Sequence, residues 1–374
     1  MVNLIKGDEM KMFEWLKNMF SQKTKEPEEE YNPLWKYELI EEAKRTAELN
    51  FLSPAQIEEV VANNEDLDFL DSEMAKKMNE IDREYIIRKL LPPIRHNEKK
   101  IIDPKEIVIG SIIGDIIGSK YEFTYHDYAA AKTESLPKAR SFFTDDTVLS
   151  IATMNAVLEN SVEPDYRLHY LDSYKKYPRV GYGSSFVDWA LNDTDNTQGY
   201  HSMANGAAMR LSFIPAYYDK IEDVMRQTIE SVEVTHNHTE AVKHSLILSV
   251  CIWMAIHNYS KEEIELYCDR YFHYTEEERE KLYYGGTQFR WSEPLYELSN
   301  KMSRETLFIN SAVPFAIKCF LETNSYEECM REILSHYGDT DTICAIAGGL
   351  CVAYYGTTGL DNEKILREAS VPQI

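Results

Sequence analysis

Apolar residues recur at helical spacing along most of the chain from about residue 104 onward. No alternation of apolar and polar residues over a strand length interrupts this pattern, and no internal repeat is visible. The sequence therefore predicts an all-α fold. The predicted helices are 107–118, 146–159, 184–191, 205–213, 220–235, 238–257, 261–270, 310–322, 325–335 and 342–355.

Two parts follow from the same pattern. Residues 104–374 carry the long helical series and form the predicted main domain, and residues 1–103 form a predicted helical N-terminal extension. The polar, proline-containing run at 21–33 is typical of a flexible linker. Segment 271–300 is aromatic, charged and rich in turn residues; it is interpreted as a short helix and a loop, either plain surface or a rim to a substrate site.

Segment 107–118, IVIGSIIGDIIG, has glycine at every fourth position. Small residues at this spacing let two helices cross closely. The arrangement differs from the GxGxxG loop of dinucleotide-binding folds, and no alternation of strands and helices follows it, so a Rossmann domain is excluded.

Composition narrows the classes of partner and compartment. The net charge of −23 and the pI near 4.9 argue against binding to a nucleic-acid backbone. Six cysteines are scattered without a CxxC pair, which favours a reducing compartment such as the cytoplasm. We expect no signal peptide and no membrane span, because charged residues interrupt the N-terminal apolar stretch and no uninterrupted apolar run reaches 18 residues.

Two short acidic stretches suggest a metal site. SFFTDDT contains Thr144, Asp145 and Asp146, and YGDTDT contains Asp339, Asp341 and Thr342. Each stretch alone is also a good helix N-cap. If the two meet, their carboxylates repel one another unless a cation joins them, and all-oxygen ligands suit Mg²⁺, Mn²⁺ or Ca²⁺. The combination therefore predicts a bipartite Mg²⁺ site.

Six sequence blocks occur in an order that resembles one known family. They are GSIIGDIIGSKYEF (110–123), FTDDTVLSIAT (143–153), GYGSSFVDWAL (181–191), SMANGAAMRLSFIPAYY (202–218), VEVTHNHTEAVKHS (232–245) and HYGDTDTICAIAGGLCVAYYG (336–356). This pattern is similar to the ADP-ribosylglycohydrolase family, the dinitrogenase-reductase-activating-glycohydrolase type of ADP-ribosyl hydrolase. The resemblance covers about residues 105–360.

The resemblance implies a compact, orthogonal multi-helix domain with two Mg²⁺ ions at the mouth of a cleft; Mn²⁺ is a possible substitute. It implies Glu122 and Asp145 as catalytic carboxylates. The implied metal ligands are Thr144, Asp145, Asp146, Asp339, Asp341 and Thr342. The implied substrate-binding residues are Gly181, Gly183 and Ser184 near the diphosphate, Asn205, Gly206, Ala207 and Met209 at the distal ribose, and His236.

Two further residues receive interpretations of their own. Asp115 is expected to interact with a helix dipole or to form hydrogen bonds rather than to bind metal. Tyr337 stands where the family usually has glycine before Asp-Thr-Asp, so a tyrosine there is expected to narrow the site or stack over it.

The implied activity is hydrolysis of the bond that links ADP-ribose to a protein or a small molecule. Two divalent ions ~4 Å apart can orient a vicinal diol and a water, as hydrolysis of an ADP-ribosyl group requires. Two alternatives remain open: a binding or immunity-type protein whose N-terminal extension blocks an ADP-ribosyltransferase toxin, and a Mg²⁺-dependent phosphohydrolase. The linkage that is cleaved is left open.

Overall fold

The computed structural model describes residues 83, 86–93, 98–124, 133–192, 199–272, 291, 294–295 and 304–372. Within these ranges the fold is helical, and pairing between extended segments is limited to one antiparallel bridge between Ala204 and Phe308. The prediction of an all-α fold is confirmed. In chain order the helices are α1 Pro104–Gly118, α2 Asp145–Glu159, α3 Tyr166–Lys176, α4 Ser184–Leu191, α5 Phe213–Tyr217, α6 Ile221–Glu233, α7 Thr239–Ile256, α8 Lys261–Phe272, α9 Ile309–Glu322, α10 Tyr326–Leu334, α11 Thr340–Tyr355 and α12 Asn362–Glu368.

The centre of the domain is the close crossing of α1 and α11. Both helices are buried over almost their whole length, as expected for helices that are apolar on every side. A Cβ added to Gly114 would lie 2.1 Å from the Cys344 carbonyl oxygen, and one added to Gly118 would lie 2.4 Å from the Cα of Asp341. The glycine repeat therefore permits the backbone contact that the sequence predicts. It also brings the end of α1 against the first turn of α11.

Most predicted helices have their expected positions, but 205–213 does not. In place of one helix, Asn205–Ala207 form a 3-10 turn and α5 begins only at Phe213. The reason is tertiary: the Asn205 side chain donates to the Thr306 carbonyl and to Asp339, at 2.8 Å each. The pattern also missed α3, whose buried face consists only of Tyr166 and Tyr170.

Part of the predicted N-terminal extension packs on the main domain. Ile87 and Leu90 are buried in the core, and the hydroxyl groups of Tyr267 and Tyr271 on α8 donate to the carbonyls of Leu90 and Lys89 at 2.9 and 2.6 Å. The boundary at residue 103 stays a prediction. The predicted linker at 21–33 and the helices expected before residue 83 lie outside the described residues, as does most of segment 271–300.

Helix α7 has the length and mean hydropathy of a membrane-spanning helix, but 83 % of its residues are buried inside the protein, which is equally typical of a core helix. The expectation that the chain has no membrane span stays a prediction. All six cysteines are free and buried on helices, as expected for cysteines that act as small apolar residues.

The α1–α11 crossing predicts a large effect of a single methyl group. Gly114→Ala would drive a Cβ into the α11 backbone, so we expect the free energy of unfolding to fall by at least ~3 kcal/mol, the upper end for overpacking. Thermal or urea unfolding measures it. Gly183→Ala is the control, because a Cβ there meets nothing within 4 Å. Equal stability of the two variants would contradict the close crossing.

Candidate metal centre

The two acidic stretches meet at the first turns of α2 and α11. Thr144 is the N-cap of α2 and its side chain accepts from the Asp146 N–H, so the capping interpretation is confirmed for the first stretch. Asp339 occupies the N-cap position of α11, but its side chain forms no capping hydrogen bond. The carboxylates form two sets, and within each set one oxygen from every residue lies within 4.8 Å of the others. The first set is Asp115, Asp146 and Asp341, and the second is Glu122, Asp339 and Asp341. Asp341 belongs to both sets and joins them into one cluster.

Hydroxyl groups connect the two stretches. The Thr342 hydroxyl donates to Oδ2 of Asp146 at 3.2 Å, and the Thr144 hydroxyl oxygen lies 3.1 Å from the same atom. Thr144 also accepts a hydrogen bond from the Asp146 backbone N–H at 3.3 Å. The residues are almost 200 positions apart in the chain, yet their side chains form one buried polar network.

Asp115 anchors α2 to α1. Its carboxylate is fully buried and accepts hydrogen bonds from the backbone N–H and the hydroxyl of both Thr144 and Thr147. The expected hydrogen-bonding role of Asp115 is therefore present. The same carboxylate also lies in the acidic cluster, so the structure places it closer to the centre than the sequence suggests.

The clustered carboxylates strongly disfavour their own ionised form. Burial first and neighbouring charges second raise the pKa of Asp145 to about 8, and burial raises the pKa of Asp115 to about 6. Burial and the surrounding carboxylates hold the pKa values of Asp146 and Asp341 well above the usual range. Such an arrangement calls for positive charge at its centre.

The donor set fits a hard divalent cation. Oδ1 of Asp146 and Oδ1 of Asp341 are buried, and neither forms a hydrogen bond within the described part of the chain. Buried carboxylate oxygens without a partner are rare unless an ion or a water satisfies them. Carboxylate and hydroxyl oxygens are the ligands that Mg²⁺ and Mn²⁺ prefer, so the residues present match such an ion.

Glu122 lies at the exposed edge of the cluster, on a turn that follows α1. Burial of the carboxyl group, followed by the charges of Asp339 and Asp115, raises its pKa. The next residue, Phe123, has a left-handed backbone with φ of 43° and donates its N–H to the Gly338 carbonyl at 2.9 Å. The turn that carries Glu122 is thus fastened to the loop that precedes α11.

Tyr337 takes part in this fastening. Its hydroxyl donates to the Phe123 carbonyl at 3.1 Å, and the two rings meet edge to face with centroids 6.0 Å apart. Tyr337 does not line the adjoining cavity. The expectation that it narrows the site or stacks over it stays a prediction; the contacts of its hydroxyl and ring are with the Glu122 turn.

A cavity of about 680 Å³ opens beside the acidic cluster. Its volume is in the range of small-molecule sites. Predicted metal and catalytic residues on its wall are Glu122, Thr144, Asp145, Asp146, Asp339, Asp341 and Thr342. Predicted substrate-binding residues on its wall are Gly181, Gly183, Ser184, Asn205, Gly206, Met209 and His236. Ala207 is fully buried and does not line the cavity.

Asp145 lies beside the glycine loop and is not a member of either carboxylate set. A Cβ on Gly181 would lie 3.1 Å from Asp145 Oδ1, and Gly181 has a φ of 107°, which favours glycine. The loop leads into α4, whose N-cap Gly183 offers no capping side chain. Among the described residues the first N–H groups of α4 have no side-chain cap, an arrangement that suits an anion.

Three contacts at this site had no interpretation from the sequence. Asn205 donates to Oδ2 of Asp339 at 2.8 Å, and Thr306 Oγ1 accepts from the Asp339 backbone N–H at 2.9 Å. The Thr147 backbone N–H donates to Asp115. Thr147 follows Thr144 by three residues, a spacing that could have indicated that both lie on the same face of α2. Thr306 lies outside every recognised block, so no local signal identified it.

Removal of the Tyr337 hydroxyl tests the fastening of the Glu122 turn. Tyr337→Phe should lower the free energy of unfolding by about 1 kcal/mol and increase amide exchange at 119–124, because the bond to the Phe123 carbonyl is lost. Hydrogen–deuterium exchange measures the second effect. Tyr355→Phe removes a comparable bond to the Thr323 carbonyl far along the chain and should leave that exchange unchanged. Equal exchange in both variants would argue against the fastening.

Comparison with known proteins identifies relatives over the same region. ADP-ribosyl glycohydrolase L543 of Acanthamoeba polyphaga mimivirus is 25 % identical over 292 residues, covering 68 % of this chain and 87 % of that protein. Human ADP-ribosylhydrolase ARH3 is 25 % identical over 312 residues, covering 66 % of this chain and 84 % of the relative. The mouse protein of the same name is also 25 % identical.

A solved structure described as an ADP-ribosylglycohydrolase-related protein complex shares the fold. The TM-score is 0.52 at 20 % identity, and the match covers 71 % of this chain and 95 % of the other. The ADP-ribosylglycohydrolase family profile matches residues 105–368. Because this profile spans most of the chain, the protein belongs to the ADP-ribosylglycohydrolase family.

Proposed function

We propose that this protein is a Mg²⁺-dependent ADP-ribosyl hydrolase that cleaves the glycosidic bond between ADP-ribose and a modified target. Family membership supports hydrolysis of ADP-ribosyl groups in general. The observation that carries the metal part of the proposal is the acidic cluster joined by Asp341, which adjoins a cavity large enough for a nucleotide-sized ligand.

Two Mg²⁺ ions would be held by the predicted ligands Thr144, Asp145, Asp146, Asp339, Asp341 and Thr342, and Mn²⁺ could replace them. The unpartnered oxygens of Asp146 and Asp341 support this assignment. Bound Mg²⁺ supplies Lewis-acid charge that orients hydroxyl groups and lowers the pKa of a water. Asp115 would hold Thr144 in place through its hydrogen bonds to that residue.

Glu122 is the proposed proton carrier. It lies on the cavity wall next to Asp339, and partial burial together with the charges of Asp339 and Asp115 raises its pKa, which favours the protonated form that a proton donor needs. In the reaction, the bond from C1″ of the ribose to the leaving atom breaks through an oxocarbenium-like state. Water adds to C1″ and loses a proton, and the leaving atom gains one; Glu122 would accept the first proton or supply the second, and solvent exchanges the other. Asp145 is the second proposed catalytic carboxylate.

The rest of the cavity would bind ADP-ribose. The glycine loop ending in Gly183 and Ser184 would receive the diphosphate, because the first N–H groups of α4 carry no side-chain cap. Arg179 also lines this wall and adds positive charge. Asn205, Gly206 and Met209 would contact the distal ribose, and His236 would complete that wall.

The target would be an ADP-ribosylated protein or a small-molecule ADP-ribose conjugate. The six free cysteines are compatible with a cytoplasmic location, which remains part of the proposal. The alternative, an immunity-type protein that blocks an ADP-ribosyltransferase toxin, depends on the N-terminal extension. It is not favoured, because the family and its relatives are hydrolases by name.

Metal removal gives the first test. Mg²⁺ at about 100 times its Kd should raise the free energy of unfolding by about 2.7 kcal/mol, and EDTA should reverse this. Asp341→Asn should abolish the Mg²⁺-dependent rise in Tm, because Asp341 is shared by both carboxylate sets. Asp361→Asn, at an exposed helix N-cap, is the matched control and should retain the rise. A Tm unaffected by Mg²⁺ in the wild type would refute the metal site.

Glu122→Gln gives the second test. ADP-ribose binding should persist while turnover falls by about 10²- to 10⁴-fold, because the amide cannot carry the proton. Release of free ADP-ribose from ADP-ribosyl-arginine and ADP-ribosyl-serine peptides measures turnover, with Mg²⁺ and with EDTA. Glu363→Gln on the exposed face of α12 is the control. Normal turnover by Glu122→Gln would remove Glu122 from the mechanism, and release of inorganic phosphate instead of ADP-ribose would favour a phosphohydrolase.

A further inference from the structure

Arg210 is a charged residue in an unusual place. It lines the cavity next to Met209, is almost completely buried, and forms no ion pair with a carboxylate among the described residues. Its guanidinium carbon lies 4.2 Å from the centre of the Tyr170 ring. Burying an arginine without a carboxylate is costly. Nε and Nη1 of Arg210 have no hydrogen-bond partner within the described part of the chain, so the directed contacts of this side chain are those of Nη2.

Those contacts are directed at the segment that carries His236. Nη2 of Arg210 donates to the Thr235 hydroxyl at 2.7 Å and to the Ser231 carbonyl at 3.2 Å. A guanidinium group can only donate hydrogen bonds. The Thr235 oxygen is therefore the acceptor in this contact, and its own hydrogen remains available for another partner.

His236 contacts the same hydroxyl. Its Nδ1 lies 2.7 Å from the Thr235 hydroxyl oxygen. If the hydroxyl donates its hydrogen to Nδ1, the single hydrogen of the neutral imidazole ring must be on Nε2. Burial and the charge of Arg210 hold the pKa of His236 well below the usual range, which keeps the ring neutral.

Tyr200 supports the segment that carries His236. Its ring centroid lies 5.4 Å from that of the His236 ring. The Tyr200 backbone N–H donates to the Thr235 carbonyl at 2.9 Å, so this segment is held through the backbone as well as through the Thr235 side chain.

The Nε2 edge of His236 lies at the cavity. A Cβ on Gly206 would be 3.5 Å from both Cε1 and Nε2 of the ring, and both residues line the cavity wall. We propose that Arg210 and Thr235 are positioning residues that hold His236 as the neutral Nε2–H tautomer, so that it presents a hydrogen-bond donor to an oxygen of ADP-ribose. The identity of the ligand rests on the proposed function; the tautomer does not. His236 then acts as a fixed donor and does not transfer protons in catalysis.

The tautomer can be measured in the free protein. We would label the histidines with ¹⁵N, assign His236 by comparison with His236→Gln, and identify the protonated ring nitrogen from long-range ¹⁵N–¹H correlations. The expected result is a hydrogen on Nε2 and an unprotonated Nδ1. A hydrogen on Nδ1, which would mean that the ring donates to Thr235, would overturn the proposal whatever the activity of the enzyme.

Substitutions at Thr235 test the effect on binding. Thr235→Val keeps the shape and removes the hydroxyl, so the tautomers should mix and ADP-ribose should bind about 3- to 10-fold more weakly, with a smaller change in kcat. Thr235→Ser should restore both the spectrum and the affinity. Thr228→Val removes a buried hydroxyl that bonds Ser249 at 2.9 Å and does not line the cavity, and it controls for lost stability.

The outcomes separate this inference from the proposed function. Wild-type affinity for ADP-ribose in Thr235→Val, with a folded protein, would overturn the positioning role even if the enzyme is a hydrolase. Absence of ADP-ribose binding by the wild type would instead refute the proposed ligand. The spectrum of the free protein would then still decide whether Arg210 and Thr235 fix the tautomer.

Discussion

Mutual repulsion among buried carboxylates is the constraint on which the rest of this structure depends. Asp115, Asp146, Asp339 and Asp341 are each at most 5 % exposed, and Asp341 is close to all the others in the acidic cluster. Hydrogen bonds from Thr144, Thr147 and Thr342 satisfy only some of their oxygens. The remaining demand for positive charge explains why the proposed chemistry belongs here rather than elsewhere in the cavity.

The close crossing of α1 and α11 holds this cluster in place. Glycines on α1 let its backbone contact α11, so that Asp115 on α1 and Asp341 on α11 face the N-terminus of α2. The Glu122 turn is fastened to the loop before α11 through Tyr337 and Gly338. A small movement of either helix would change every distance in the cluster. Dense packing and the chemistry of the site are thus coupled.

The sequence predicted the parts of the site that depend on local pattern. Paired acidic motifs, the glycine repeat of α1 and the apolar spacing of the long helices are all visible in a single chain. The 205–213 region was predicted wrongly, because Asn205 bonds to residues more than 100 positions away and local spacing cannot register that. The role of Tyr337 was missed for the same reason, since its hydroxyl binds a carbonyl 214 positions away.

In the proposed metal centre, ligands from both acidic stretches bind the same pair of divalent ions. The most direct measurement is anomalous X-ray diffraction from crystals grown with Mn²⁺, which replaces Mg²⁺ and scatters anomalously. Two peaks in the acidic cluster, with ligands from the Asp145–Asp146 stretch and from the Asp339–Thr342 stretch, are the predicted result. An absence of peaks, or ions bound by one stretch alone, would contradict the claim.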